Sequence, residues 1–412
     1  MSTQPTEPIA IIGMACRFAG SDGLGPFWDN LVAGRDCVTR DPSLTTEGDS
    51  RRVGAWGLYE NRNSFDSELL GFPPIDPEQD LQHGFLSEVL WSAVEDAGLR
   101  VSEIGPRTAL YAGSSPAKVV ENTSIEEMMG MDARFAANRF SYLRNLQHES
   151  LMLEAGCATS LVAAHMACMS LRAGSCDYAL AAGVSVMETD GAYDYVPGGV
   201  YSSDGVCRPF DKNATGTVPG DGAAAVLLRR LDDALRDGDP IHAVIRSSAV
   251  GNDGKDKAGY SIPGVPGKIR VIRQALDLAG LTGAEVGYME THGVGIPLND
   301  EIEATALTEG LGPYGRPLAV GSVKASVGHT SHAAGLAGLI KTALVLKHGF
   351  LPATPNTADP IDTLTKGGDR YSIVPEGRNW EDDGRPRVAG VMAAGFGGTN
   401  SFAILQEAPA RV

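Results

Sequence analysis

Glu154-Ala155-Gly156-Cys157-Ala158-Thr159-Ser160-Leu161-Val162-Ala163-Ala164-His165 sets a lone thiol between a short apolar segment and a run of small residues. Ser150 to Leu153 is short and apolar enough for a strand. Ala158 to Arg172 predicts a helix of Ala, Leu, Val and Met closed by Gly174, apolar on nearly every face and therefore buried. A thiol at the first turn of such a helix meets unsatisfied backbone N–H groups and the positive end of the helix dipole, which favours thiolate. Cys157 is thus a candidate nucleophile, and a small core residue is the alternative, as for Cys168 and Cys176.

With 412 residues the chain exceeds the size at which a single core stops growing, so two units sharing one interior are expected. Its 51 glycines and 43% hydrophobic content suit an α/β enzyme. The net charge of −17, with no run of Lys or Arg, argues against nucleic acid or an anionic membrane as partner. Six cysteines without paired spacing indicate neither a disulfide framework nor a zinc site, so no metal is expected and a reducing, cytoplasmic compartment fits. No stretch is long enough to span a bilayer, and Ile9-Ala10-Ile11-Ile12-Gly13 reads as a first buried strand, not a leader.

In chain order, a strand over Pro8 to Met14 is followed by a short helix over Phe27 to Ala33. Asp76-Pro77-Glu78 caps a helix running through Leu99, and Ala109 to Gly113 is the next strand. The span from Ser114 to Arg139 is helical in character. Tyr178 to Val186 is a buried strand, and Thr215 to Leu228 reads as a strand pair around Gly220-Asp221-Gly222. Charge, Gly and Pro cluster over Asp232 to Pro240, which marks a hinge. Beyond it the order repeats: strands over His242 to Val250 and Leu318 to Ser322, a loop, an Ala/Gly-rich helix over Ala333 to Lys347, and a strand pair over Val388 to Leu405. This order suggests an internal duplication, with residues 1–235 and 236–412 as two similar halves.

Two motifs of the second half carry chemistry. Glu290-Thr291-His292-Gly293-Val294-Gly295 follows an apolar strand, and its glycines allow a tight turn that leaves His292 facing a cavity. Lys324-Ala325-Ser326-Val327-Gly328-His329-Thr330 also follows a strand and precedes a buried helix. Either histidine alone is most simply structural. A thiol with two loop-borne imidazoles forms an acyl-transfer set, because neutral Nε2–H groups can donate to a thioester carbonyl and stabilise an enolate. His83, His148, His165, His242, His332 and His348 have no comparable setting and receive no role.

On these stretches the chain resembles the β-ketoacyl synthases, particularly the ketosynthase domains of modular polyketide synthases. The resemblance rests on Glu7 to Phe18, the Cys157 segment, Tyr201-Ser202-Ser203-Asp204-Gly205-Val206-Cys207-Arg208-Pro209-Phe210-Asp211, the two histidine motifs and Gly395-Phe396-Gly397-Gly398-Thr399-Asn400. It implies the thiolase fold, a five-layer αβαβα duplication, and a homodimer. It further implies that Cys157 takes an acyl chain from a thioester, and that His292 and His329 assist malonyl decarboxylation and condensation, with Lys324 positioning His329. The backbone N–H groups of Cys157 and Phe396 would form the oxyanion hole, with Phe396 gating the acyl pocket. No tightly bound cofactor is implied; substrates would arrive on the phosphopantetheine of an acyl carrier protein.

Several positions depart from the family pattern. Asp-Thr-Ala-Cys-Ser-Ser-Ser is Glu154 to Ser160 here, and His-Gly-Thr-Gly-Thr is His292-Gly293-Val294-Gly295-Ile296. Lys-Ser-Asn is Lys324-Ala325-Ser326, and the first Phe of Phe-Gly-Phe-Gly-Gly is Ala394. Val294 and Ile296 replace two threonines that hydrogen-bond the pantetheine arm in the family, so Val294, Ile296, Ala394 and Gly397 are expected to line a remodelled pocket. Three function classes stay open: a free-standing decarboxylative ketosynthase; a ketosynthase-fold cyclase, lactone-forming enzyme or acyltransferase; and a silent partner subunit. Intact Cys157, His292 and His329 argue against the last.

Overall fold

Strand Ile9–Phe18 (β1) is apolar at nearly every position and is buried on both faces. The computed structural model of the chain describes residues 5–46, 51–62, 65–72, 80–116, 124–365 and 370–410. After β1, the first half contributes Thr108–Ser114 (β2), Ser150–Met152 (β3), Tyr178–Ser185 (β4) and Gly222–Arg230 (β5) to a sheet of 12 strands among the described residues, counting the two-residue strand Ser21–Asp22 that pairs with β1. These lie side by side as β1-β5-β4-β2-β3, with two antiparallel neighbours followed by two parallel ones.

The second half repeats the arrangement with Ala243–Asn252 (β6), Tyr288–Glu290 (β7), Leu318–Gly321 (β8), Tyr371–Ile373 (β9), Val388–Ala394 (β10) and Thr399–Glu407 (β11). Its order is β6-β11-β10-β7-β8, again antiparallel twice and then parallel, with β9 added at the edge. The halves are joined where Ile9 to Ile11 of β1 pair with Ala243 to Ile245 of β6. An identical sequence of strand directions in both halves is the duplication, seen in hydrogen bonds.

Side-chain alternation along each strand then builds the layers. Ile9 and Ile11 face a central core shared with Thr159–Arg172 (α2) and Ala334–His348 (α5), whereas Ala10 and Ile12 face an outer core with Gln82–Asp96 (α1). In the second half Ala403 and Leu405 face the central core, and Phe402 and Ile404 face Val265–Ala279 (α3) and Pro297–Leu311 (α4). Helix, sheet, helix pair, sheet and helix pair make the five-layer αβαβα thiolase fold. The central helices are rich in Ala and Gly because they must cross closely: a Cβ on Gly335 would lie 2.7 Å from the backbone nitrogen of Leu161.

Three expectations need correction. Residues 215 to 221 are not a strand; Thr217 and Pro219 make single bridges to Tyr201 and His329, so this segment holds the His329 loop in place of extending the sheet. The hinge is partly a helix, Leu231–Asp237, pinned by Arg230 to Asp233 at 2.6 Å and by Arg229 to Asp237 and Asp239. In the span read as helical in character, Ser114 instead ends β2, and the described residues beyond it form two helices, Ile125–Met131 and Ala136–Arg144, separated by a short 3₁₀ turn. The capping residues Asp76 to Glu78 lie outside the described residues.

Candidate active site

Cys157 sits on a single 3₁₀ turn, Gly156–Ala158, that feeds α2. The turn closes on itself: Thr159 Oγ1 accepts the Ala155 N–H at 2.8 Å and donates to the Gly156 carbonyl at 2.6 Å. Gly156 adopts φ +56°, which only glycine takes readily, and donates its N–H to Glu154 Oε1 at 2.7 Å. Burial pushes the Cys157 thiol up to about 11, against the opposing pull of the Lys324 charge. Desolvation thus opposes the thiolate that the helix start favours.

His292 leaves the end of β7 on a loop fixed by the first turns of α4. Its N–H donates to Glu303 Oε1 at 2.7 Å, while Asp300 accepts the N–H groups of Val294 at 3.0 Å, Gly295 at 3.1 Å and Phe210 at 2.7 Å. Burial, then the Lys324 charge, the neighbouring His329 and the Lys268 charge, hold the His292 imidazole far below its ordinary pKa. His329 is tied through its backbone N–H to the Val218 carbonyl at 2.7 Å, and its Nδ1 accepts the Ser331 N–H at 3.2 Å. Burial and Lys324 push it down to about 3. With Nδ1 occupied as an acceptor, the proton of neutral His329 resides on Nε2. The two rings stand 5.8 Å apart, nearly perpendicular at 83°.

Lys324 lies behind the imidazoles, 3% exposed, among Glu290, Glu303, Cys207 and Cys157, and burial lowers its pKa. Beneath it, Glu290 is held by Lys341 at 2.9 Å, the Tyr288 hydroxyl at 2.6 Å and the Val323 N–H at 2.6 Å. Phe396, 63% exposed, heads the turn between β10 and β11. Its backbone nitrogen is 3.2 Å from where a Cβ on Gly156 would stand, and Gly395 lets the Ala155 carbonyl approach closely.

Cys157, His292 and His329 all line one cavity of about 1040 Å³ including its mouth. Val294, Ile296, Ala394, Phe396 and Gly397 line it too, so the sequence-named pocket residues meet in one place; Lys324 does not line it. The sequence reading missed Asp300, Glu303 and the buried Lys268, whose Nζ donates to Asn400 Oδ1 at 2.8 Å. The signal for the first two was an acidic pair three residues apart, just after a glycine loop and an N-terminal Pro297. It also missed His332, whose Nε2 lies 3.1 Å from Glu154 Oε2.

Residues 6–234 match the family model for the β-ketoacyl synthase N-terminal domain, and residues 242–358 match that for its C-terminal domain. The chain belongs to the β-ketoacyl synthase family. It is 39% identical over 432 aligned positions to the phenolphthiocerol synthesis polyketide synthase type I Pks15/1 of Mycobacterium marinum, covering 98% of this chain and 20% of that protein. It is 37% identical over 434 aligned positions to the polyketide synthase GfsB of Streptomyces halstedii, covering 98% of this chain and 8% of that one. The chain thus spans less than a third of these relatives. Among solved structures it resembles ketosynthase twelve of the bacillaene polyketide synthase of Bacillus amyloliquefaciens, with a TM-score of 0.91, 32% identity and coverage of 98% of this chain and 73% of that one. The module 1 ketosynthase of the bacillaene synthase from the same species gives a TM-score of 0.89 at 33% identity, covering 98% and 76%. Among the described residues, no helix is long and apolar enough to cross a membrane.

Proposed function

We propose that this β-ketoacyl synthase loads an acyl chain onto Cys157 and joins it to a carrier-bound malonyl-type extender by decarboxylative Claisen condensation. The observation that carries this reading is the convergence of one thiol and two neutral imidazoles in one cavity, with His329 locked as an Nε2–H donor. Cys157 Sγ attacks the thioester carbonyl and displaces the pantetheine thiol, with the Cys157 and Phe396 N–H groups as the oxyanion hole. Loss of carbon dioxide from the extender leaves an enolate whose oxygen accepts from the imidazole N–H donors. The enolate carbon then attacks the acyl group and releases the Cys157 sulfur. Lys324 holds the charge balance behind both rings, and Phe396 gates the entrance to the acyl pocket.

The substrates come on the phosphopantetheine arm of an acyl carrier protein or domain. Residues 1–235 and 236–412 act as the two halves, and the chain works as a homodimer. The open sheet edge at β3, where Leu151 is exposed, supports that assembly. A second reading, intramolecular ring closure, draws on the apolar wall made by Val294 and Ile296. Supplying acyl thioester with and without malonyl carrier, and weighing enzyme and carrier by intact mass spectrometry, separates the two.

A further inference from the structure

Ser331 is a non-glycine residue held at φ +44°, in the left-handed region that a serine adopts only when its surroundings impose it. That conformation aims its N–H at His329 Nδ1. A chain of polar contacts leads from Ser331 back to the nucleophile. Ser331 Oγ lies 3.2 Å from Nδ1 of buried His332, whose Nε2 lies 3.2 and 3.1 Å from the two Glu154 oxygens. Glu154 Oε1 in turn accepts the Gly156 N–H at the Cys157 turn. The two short turns carrying Cys157 and Ser331 pack against each other.

The protonation pattern along this chain follows from its ends. With Nε2–H facing the Glu154 carboxylate, the neutral His332 ring presents Nδ1 as an acceptor for a hydroxyl. Ser115 Oγ is also within 3.3 Å of that nitrogen, but it donates to Ser185 Oγ at 2.7 Å. In that tautomer Ser331 Oγ donates its O–H to His332 Nδ1.

We propose that Glu154, His332 and Ser331 form a brace that holds the Ser331 backbone in its disfavoured conformation and thereby fixes the His329 tautomer. All three are positioning residues of the condensation. The inference rests on the function proposed above for what the tautomer serves, but the tautomer itself can be measured without turnover. Ser331 itself lines the cavity, whereas Glu154 and His332 do not; the brace acts through the N–H that Ser331 offers His329.

Comparing Ser331→Ala with Ser331→Gly tests this. Both remove the hydroxyl, but glycine adopts φ +44° freely whereas alanine keeps the steric cost. The brace predicts that Ser331→Ala slows carbon–carbon bond formation about 10-fold, a fraction of what loss of the whole imidazole donor would cost, with acyl loading on Cys157 nearly unchanged. Ser331→Gly should lose clearly less of that rate than Ser331→Ala, and adding His332→Ala to it should change little more, because the brace has nothing left to hold. In spectra of ¹⁵N-histidine-labelled protein, His329 should show one Nε2–H tautomer in wild type and Ser331→Gly, and a mixture in Ser331→Ala. Equal rates for the alanine and glycine variants, or an unchanged His329 tautomer in Ser331→Ala, would overturn the proposal. If the chain forms no carbon–carbon bond with any extender, the tautomer spectra still decide the brace, while the functional reading alone fails.

Discussion

The Ser331 N–H donates to His329 Nδ1 across 3.2 Å, and this bond leaves the opposite nitrogen protonated toward the cavity that holds Cys157. Donor geometry of this kind serves charge that develops on a substrate oxygen and contributes little to attack by sulfur. Replacing His329 or His292 by alanine should accordingly slow the carbon-centred step by on the order of 100-fold or more. Loading of Cys157 should fall far less. Equal losses in both steps, measured by single-turnover mass spectrometry, would show that the histidine acts mainly on the thiol.

The burial that pushes Cys157 up to about 11 has a direct signature. The thiol form dominates through neutral pH, and thiolate accumulates only as pH rises toward that value. Alkylation of Cys157 by iodoacetamide should therefore increase by about 10-fold per pH unit between roughly pH 7 and 10, because thiolate is the reactive species. A plateau near neutrality would mean that the helix dipole and Lys324 outweigh desolvation after all.

Glu290 and Lys341, each 1% exposed and 2.9 Å apart, form a buried ion pair under the His292 loop. Removing one charge strands the other. Lys341→Met should lower unfolding stability by about 3–5 kcal/mol, whereas the double change Glu290→Gln with Lys341→Met should recover much of it. Urea unfolding of the three proteins reads this, and equal destabilisation of the single and double variants would show that the pair does not compensate itself.

The repeated halves were legible because strand composition and order recur on both sides of residue 240, and the three chemical groups were legible because each sits between an apolar strand and a distinctive loop or helix. The polar supports were not. Asp300 and Glu303 gain their role only when α4 folds back onto the His292 loop, and no local pattern says which backbone N–H groups they meet. His332 looked idle because its partner, Glu154, is 178 residues away in the chain. The desolvation of Cys157 was hidden for a related reason: the sequence displays the helix start but not the walls that bury the sulfur.

Val294 and Ile296 bring apolar side chains to the cavity wall, at positions where the resemblance implies threonines that hydrogen-bond a pantetheine arm. If the enzyme condenses intermolecularly, Val294→Thr with Ile296→Thr should improve use of malonyl carrier by about 5-fold or more, each restored bond being worth roughly 0.5–1.5 kcal/mol. If the apolar wall instead folds a tethered chain back on itself, the same variant should lose turnover and gain no dependence on malonyl carrier. Product mass and carbon dioxide release distinguish these outcomes.

The central claim is that the acyl group on Cys157 becomes the electrophile of a carbon–carbon bond. It is tested by acylating the enzyme, adding malonyl carrier, and weighing both proteins intact over a single turnover. Removing a small side chain at a turn should cost only about 1 kcal/mol, so Cys157→Ala is a folded control. The account predicts that wild type gains the acyl mass on the Cys157 peptide, then loses it as the carrier acquires a β-ketoacyl chain and carbon dioxide is released, while Cys157→Ala does neither. Acylation of Cys157→Ala, or a wild-type acyl-enzyme that never lengthens the carrier-bound chain, would contradict it.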